Sequence, residues 1–135
     1  MTDFRKVTDA FTVAPQIELA DMAAAKAAGF VLVINNRPDG ESPDQPTSAE
    51  MEAAATAAGL AYAYIPVRGG PTPEQVDQEL ALLADTDGPV LAYCRSGTRS
   101  IVTWSIGQAM AGQQSRGDLI NLGAEAGYDL SGVLG

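Results

Sequence analysis

The 135-residue chain carries 17 Asp and Glu residues against 8 Lys and Arg residues, for a net charge of −9 at pH 7. This acidity argues against general nucleic-acid binding, which depends on clustered basic side chains. Hydrophobic residues make up 46% of the sequence and charged residues 19%, so we expect one globular domain over residues 1–135.

Short apolar runs alternate with Ala-rich segments along the chain, as in βα units that build a parallel sheet. Strands are predicted at Phe11–Val13, Phe30–Ile34, Leu60–Val67 and Pro89–Tyr93, the first of them at a sheet edge. Helices are predicted at Glu18–Ala28, Ser48–Ala58, Pro73–Ala84, Thr98–Ala111 and, as a short segment, Leu119–Ala126. This order predicts a three-layer α/β fold with a mostly parallel central sheet and flanking helices.

Two helix signals are specific. Thr72 and Gln75 fit a capping box, and Pro73 between them suits the first helical position. Gly29, Gly59 and Gly112 follow three of the predicted helices, where a glycine ends a helix most readily.

No apolar run is long enough to cross a bilayer, and the first residues lack the apolar centre of a signal peptide. We therefore expect a cytoplasmic protein without membrane contact.

The chain contains no histidine and a single cysteine, Cys94. These counts exclude Cys-His dyads, Ser-His-Asp triads and histidine metal ligands. Carboxylates are spread singly, so neither a metal nor another cofactor is expected. Activation of the Cys94 thiol must therefore come from the backbone and from arginines.

Positive charge is concentrated where the predicted strands end. Four of the six arginines, Arg37, Arg68, Arg95 and Arg99, directly follow the three strongest strands. Because parallel strands share the edge formed by their carboxyl ends, these residues predict one anion-binding site.

The turn after the last predicted strand carries the sharpest chemical signal. Backbone N–H groups of such a turn, together with the N-terminus of the next helix, attract an anion and favour the thiolate form of a cysteine. Gly97 relieves backbone crowding, and a hydroxyl of Thr98 or Ser100 is available to bond the sulfur. An inert core cysteine is the competing interpretation, but it leaves the polar neighbours unexplained. The predicted anion-binding residues of the loop are Arg95, Ser96, Gly97, Thr98 and Ser100.

Asn35 and Asn36 end a buried strand beside the predicted site. We expect their side-chain amides to brace the cysteine loop rather than to act on a substrate. The following Pro38-Asp39-Gly40 is a turn by composition.

The loop Cys94-Arg-Ser-Gly-Thr-Arg-Ser100 resembles the active-site loop of rhodanese-type sulfurtransferases and, more loosely, that of protein tyrosine and dual-specificity phosphatases. Together with Phe11–Gln16 and Ile34–Gly40, it is similar to the phosphatase-like domain of beta-lactamase-hydrolase-like proteins over roughly residues 3–112. The resemblance implies a dual-specificity-phosphatase-like fold. It also implies persulfide dioxygenase and sulfide:quinone oxidoreductase modules as partners.

Two departures from the phosphatase pattern favour sulfur over phosphate. Only four residues separate Cys94 from Arg99, one fewer than in those phosphatases, and the segment 66–70 holds no carboxylate to protonate a leaving alkoxide. We therefore predict a sulfurtransferase that forms a Cys94 persulfide and passes the sulfur to a thiol or cyanide.

In that prediction Arg99 and Arg95 hold the donor, thiosulfate or glutathione persulfide, while Arg68 and Arg37 contact its distal part. Two alternatives stay open. One is a phosphatase that acts through a Cys94 phosphocysteine, and the other is an inactive anion-binding or docking module.

Overall fold

A computed structural model describes residues 3–134 of the chain. Met1, Thr2 and Gly135, which the predicted domain includes, lie outside the described residues. The strands are β1 (Arg5–Lys6), β2 (Phe11–Ala14), β3 (Leu32–Asn35), β4 (Ala61–Tyr64) and β5 (Val90–Tyr93). The helices are α1 (Asp21–Ala27), α2 (Ser48–Ala58), α3 (Pro73–Ala84), α4 (Thr98–Met110) and α5 (Arg116–Ala126).

The strands form one sheet in the order β1-β2-β5-β3-β4. All pairs are parallel except β1 with β2, so the predicted mostly parallel sheet is confirmed. The register places Val13 beside Ala92, Ala92 beside Ile34, and Ile34 beside Ala63. The carboxyl ends of β2, β3 and β5 are therefore level at one edge.

Helices cover both faces of the sheet and complete the three predicted layers. One core cluster joins β2, β3 and β5 to α4 and α5, with Phe11 and Trp104 stacked 5.1 Å apart between ring centroids. The other cluster joins the opposite strand face to α1 and α2 through Met22 and Met51. Strand residues alternate between the clusters, as the two-residue period of a strand requires.

Several predicted boundaries shift. The segment Phe11–Val13 is not an edge strand, because β1 covers its outer side and β2 lies inside the sheet. The strand predicted over Leu60–Val67 ends at Tyr64 as β4. Helix α2 has a capping box that sequence analysis missed, with Thr47 as N-cap and Glu50 as its partner. The box predicted before α3 is confirmed.

Within residues 3–134, we find no helix with the length and hydropathy needed to span a membrane.

Candidate active site

The cysteine loop follows the central strand β5 and leads directly into α4. Cys94 is fully buried, and the backbone N–H of Gly97 donates a hydrogen bond of 3.1 Å to its Sγ. Strand β5 lies between β2 and β3, so the loop is flanked by the chain segments that follow both neighbours. The sulfur is thereby placed at the base of the N-terminus of α4.

Two hydrogen bonds fix carbonyl groups of the cysteine loop. The N–H of Gln16 donates to the Arg95 carbonyl at 3.1 Å, and the Tyr128 hydroxyl donates to the Ser96 carbonyl at 2.8 Å. Among the loop amides, the Gly97 N–H is bonded to Cys94 Sγ and the Thr98 N–H to Ser96 Oγ at 3.3 Å. An anion at the N-terminus of α4 would bind the amides that these two contacts leave open.

Only glycine fits at position 97. Gly97 adopts φ +92°, and a Cβ placed there would lie 2.1 Å from the Tyr128 Oη and 3.3 Å from the Ala14 carbonyl oxygen. The predicted role of Gly97 in relieving a crowded backbone therefore has two physical causes, its left-handed conformation and the close approach of Tyr128.

Arg99 reaches back over the loop and is held on two sides. Its Nη1 and Nη2 donate to the two Glu41 oxygens at 2.8 and 2.9 Å, and Nη1 also donates to the Val67 carbonyl at 2.9 Å. These hydrogen bonds from Arg99 to Glu41, with the nearby Cys94 sulfur, raise the pKa of Arg99. The guanidinium is thus a permanent positive charge beside the thiol.

Glu41 is the site residue that sequence analysis missed. Its carboxylate bridges two arginines, because Arg37 Nε donates to Oε1 at 3.0 Å while Arg99 binds both oxygens. Hydrogen bonding from Arg99, supported by Arg37, lowers the pKa of Glu41 to about 2, against the opposing effect of burial. The carboxylate therefore stays ionised at neutral pH.

Arg37 is held in place by two side chains. Its side chain is buried, pairs with Glu41 and donates from Nη1 to Gln16 Oε1 at 3.0 Å. Arg37 also borders the cavity beside the loop, and its expected contact with a distal part of the substrate stays a prediction. Arg68 is exposed in the segment between β4 and α3, next to Val67, whose carbonyl holds Arg99.

The hydroxyl groups of the loop do not bond the sulfur as expected. The Ser96 hydroxyl donates to Thr98 Oγ1 at 3.0 Å, and the buried Ser100 Oγ has no partner among the described residues. The contact to Cys94 Sγ comes from the Gly97 backbone instead.

The paired asparagines brace β3 and β4 rather than the cysteine loop itself. Asn35 Nδ2 donates to the Tyr62 hydroxyl at 3.0 Å, and Asn35 Oδ1 accepts from the Arg37 N–H at 2.8 Å. Asn36 Nδ2 donates to the Ile65 carbonyl at 3.0 Å. The link to the loop is through the backbone, where the Asn36 N–H donates to the Tyr93 carbonyl at 2.8 Å.

An open cavity of about 600 Å³ lies beside the loop. Arg95 and Arg37 border it on the loop side, and Ile17, Leu19 and Pro46 supply an apolar wall. Arg95 is exposed and has no ion-pair partner in residues 3–134.

Sequence comparison decides the family. The profile of the phosphatase-like domain of beta-lactamase hydrolase-like proteins matches residues 3–111. The chain belongs to this family. A beta-lactamase hydrolase-like protein of Agrobacterium fabrum is 39% identical over 127 residues, which are 93% of this chain and 29% of that protein. A namesake from Xylella fastidiosa strain Temecula1 is 40% identical over 103 residues, or 76% of this chain and 24% of its own length. The phosphatase-like domain thus spans under a third of either relative.

Solved structures share the phosphatase-like fold. A "putative phosphatase" from Neisseria meningitidis is 28% identical, with a TM-score of 0.86 over 98% of this chain and 94% of that one. The active form of Tk-PTP gives 18% identity and a TM-score of 0.72 over 96% and 88%. A kinase-associated phosphatase whose catalytic-site cysteine is replaced by serine gives 14% identity and 0.68 over 83% and 72%. The dual-specificity-phosphatase-like fold is confirmed.

These findings show that the predicted sulfurtransferase activity is wrong. The family profile and the solved structures are phosphatase-like, and they fit the phosphatase alternative better. The prediction relied on two local features, the shorter loop and the missing acid after β4. Neither feature distinguishes the transfer of sulfur from the transfer of phosphate at Cys94.

Proposed function

We propose that the phosphatase-like domain is a cysteine-dependent phosphatase that hydrolyses phosphate monoesters. The observation that carries the proposal is the placement of the buried Cys94 Sγ at the N-terminus of α4, where it accepts from the Gly97 N–H, and beside the Arg99 guanidinium. The kinase-associated phosphatase of the same fold has a cysteine at its catalytic site, which supports the same role for Cys94.

The reaction has two displacements at phosphorus. In the first, the Cys94 thiolate attacks the phosphoryl group, an S–P bond forms, and the P–O bond to the leaving group breaks with its electron pair on oxygen. In the second, water attacks the phosphocysteine, releases inorganic phosphate and restores the thiolate. The loop amides and Arg99 stabilise the charge on the non-bridging oxygens in both steps.

Arg99 has to be oriented before the substrate arrives. Glu41 and the Val67 carbonyl engage both of its terminal nitrogens, and Arg99 is also within hydrogen-bonding reach of Cys94. In the proposed enzyme, Glu41 therefore fixes the plane of the guanidinium, and an N–H that Glu41 and Val67 leave open meets a phosphoryl oxygen.

The carboxyl group beside Arg99 cannot protonate a leaving group. Glu41 is the carboxylate nearest to Arg99, and its depressed pKa keeps it ionised. We therefore propose substrates whose leaving group departs easily, such as aryl phosphates, with the leaving group lying against the apolar wall formed by Ile17, Leu19 and Pro46. Arg95, at the border of the cavity, provides a second cation for an additional negative group.

The deciding experiment follows phosphate release from p-nitrophenyl phosphate and intact-protein mass after rapid quenching. We expect turnover with a transient phosphoryl adduct on Cys94, and Cys94→Ser to remove both. Circular dichroism and vanadate binding by Cys94→Ser control for folding and for the anion site.

Two results would contradict the proposal. Phosphate release that survives in Cys94→Ser would place the chemistry elsewhere. Vanadate binding without any turnover of aryl or alkyl phosphates would favour the inactive anion-binding module. Association with a persulfide dioxygenase or a sulfide:quinone oxidoreductase, and a cytoplasmic location, stay predictions.

A further inference from the structure

A buried carboxyl group lies behind the active site and has no role in the proposed reaction. Glu79, on the inner face of α3, is 2% exposed, and neither of its carboxyl oxygens has a hydrogen-bond partner among the described residues. The fully buried Asn36 is beside it, and Asn36 Oδ1 is likewise unpartnered. Three buried acceptor oxygens thus lack a donor in this part of the chain.

Protonation of the Glu79 carboxyl supplies a donor to this group of buried acceptor oxygens. An ionised carboxylate buried without a donor is strongly disfavoured, whereas a neutral carboxylic acid has an O–H to donate. Asn36 Nδ2 gives one of its two N–H groups to the Ile65 carbonyl, and its unpartnered Oδ1 is the acceptor beside Glu79 for that O–H.

Between residues 3 and 134, the elements packed against Glu79 offer no cation that would keep it ionised. The only ionisable side chain on the neighbouring α4 is Arg99, which is bound to Glu41. On β5 the nearest ionisable group is Tyr93, and the other acidic residues of α3, Glu74 and Asp77, are on its outer face. Burial raises the pKa of Glu79 to about 8, and the second N–H of Asn36 Nδ2, which favours the ionised carboxylate, opposes that rise only in part.

Backbone hydrogen bonds connect Asn36 to the segment that holds Cys94 and to the segment that holds Arg99. Its N–H donates to the carbonyl of Tyr93, the residue before Cys94, at 2.8 Å. Its carbonyl accepts from the Val67 N–H at 2.9 Å, and the Val67 carbonyl in turn accepts from Arg99 Nη1 at 2.9 Å. A shift of Asn36 therefore moves the nucleophile and the arginine relative to each other.

We propose that Glu79 is a positioning residue: as a neutral acid it donates a hydrogen bond to Asn36 and so maintains the relative positions of Cys94 and Arg99. Its effect on turnover rests on the proposed phosphatase function, whereas the hydrogen bond itself does not.

The direction of the pH effect follows from the raised pKa. The ordinary value for this carboxyl is 4.5, so the folded protein retains a proton that the unfolded chain loses between 4.5 and about 8. The Glu79–Asn36 hydrogen bond is intact below about 8 and is lost as pH rises through that value. The ionised carboxylate has no proton to give to Asn36 Oδ1, which is then left facing a negative charge.

The first test compares pH profiles of kcat and KM for p-nitrophenyl phosphate between pH 6 and 10. We expect kcat of the wild-type protein to fall about tenfold per pH unit above pH 8. Glu79→Gln, which donates at every pH, should keep its kcat across that range. Glu74→Gln, on the exposed face of the same helix, should behave as wild type. Glu79→Leu fills the space without a donor and should lower kcat at all pH values while KM changes little.

A second measurement is independent of catalysis. The side-chain amide NMR signals of Asn36 should shift with a midpoint near pH 8 in the wild type and stay constant in Glu79→Gln. Absence of that midpoint would overturn the proposal even in an active enzyme. If the midpoint is present in a protein that turns over no phosphate ester, the Glu79–Asn36 hydrogen bond is supported and only the proposed phosphatase function is rejected.

Discussion

At the scale of single residues, Glu41 shows how an acidic side chain can support an anion site. It is ionised in the resting protein and is shared between Arg37 and Arg99. Its pKa of about 2 means that the ion pairs are intact above the ordinary value of 4.5 and are lost only as pH falls through about 2. Assays between pH 5 and 9 therefore leave Glu41 charged.

Glu41→Gln tests this orienting role. The amide of the variant has one carbonyl oxygen to offer two guanidinium groups, so Arg99 loses a bidentate, charge-assisted contact. We expect kcat/KM for p-nitrophenyl phosphate to fall about 10- to 100-fold, which corresponds to about 1.4 to 2.8 kcal/mol. The exposed Glu52→Gln on α2 is the matched control. An unchanged kcat/KM would mean that the Val67 carbonyl alone orients Arg99.

The sequence predicted Cys94, Gly97 and Arg99 because they are close together in one strand-to-helix turn. It could not predict Glu41, which is 58 residues from Arg99 along the chain. Glu41 follows a Pro-Asp-Gly turn, where a carboxylate is ordinary, and nothing local distinguishes it. For Arg37, the sequence shows the charge but not Glu41, the partner that pairs with it.

At the scale of elements, the C-terminal segment contributes directly to the cysteine loop. Tyr128 follows α5 and lies beyond residue 111, where the match to the family profile ends. Its hydroxyl supports the Ser96 carbonyl, and the Arg5 guanidinium lies 5.3 Å from the centre of its ring. The two ends of the described chain thus meet beneath the loop.

Tyr128→Phe isolates the hydroxyl, since the ring and its contact with Arg5 remain. Loss of one neutral hydrogen bond should lower the free energy of unfolding by about 1 kcal/mol. Without this bond the Ser96 carbonyl can move, and the backbone N–H groups of the cysteine loop lose their fixed positions. We therefore expect kcat to fall several-fold with little change in KM. Urea unfolding and steady-state kinetics measure the two effects. A stability loss without a change in kcat would show that the loop keeps its shape unaided.

The main strands and helices could be predicted because their periodicity and caps are local. Strand β1 was missed because two residues, Arg5 and Lys6, carry no periodic pattern. The same omission placed Phe11–Val13 at an edge, since only pairing with β1 makes β2 an interior strand. Strand β4 ends at Tyr64 because Pro66 has no N–H to extend the ladder, although the Ile65 and Val67 N–H groups still donate to the Asn35 and Asn36 carbonyls.

At the scale of the whole molecule, the two core clusters share one sheet. Each of β2, β3 and β5 sends alternate side chains into both clusters, so neither cluster can disorder while the other keeps its packing. Phe11 and Leu91, on neighbouring strands, are buried in different clusters. The fold is therefore expected to unfold as one unit.

Urea denaturation can verify this cooperativity. Trp104, the single tryptophan, reports on the cluster of α4 and α5, while far-UV circular dichroism reports on all helices. We expect the two probes to give coincident transitions with one midpoint. Separate midpoints would mean that the layer of α1 and α2 unfolds independently.

Cys94 also determines how oxidation would affect the domain. The 135 residues contain no second thiol, so a sulfenic acid formed on Cys94 has no resolving cysteine within them. The sulfenic acid would react instead with a neighbouring backbone nitrogen or with a thiol from another molecule. Recovery from peroxide would then depend on the supply of external reductant, and the domain would follow the redox state of its surroundings.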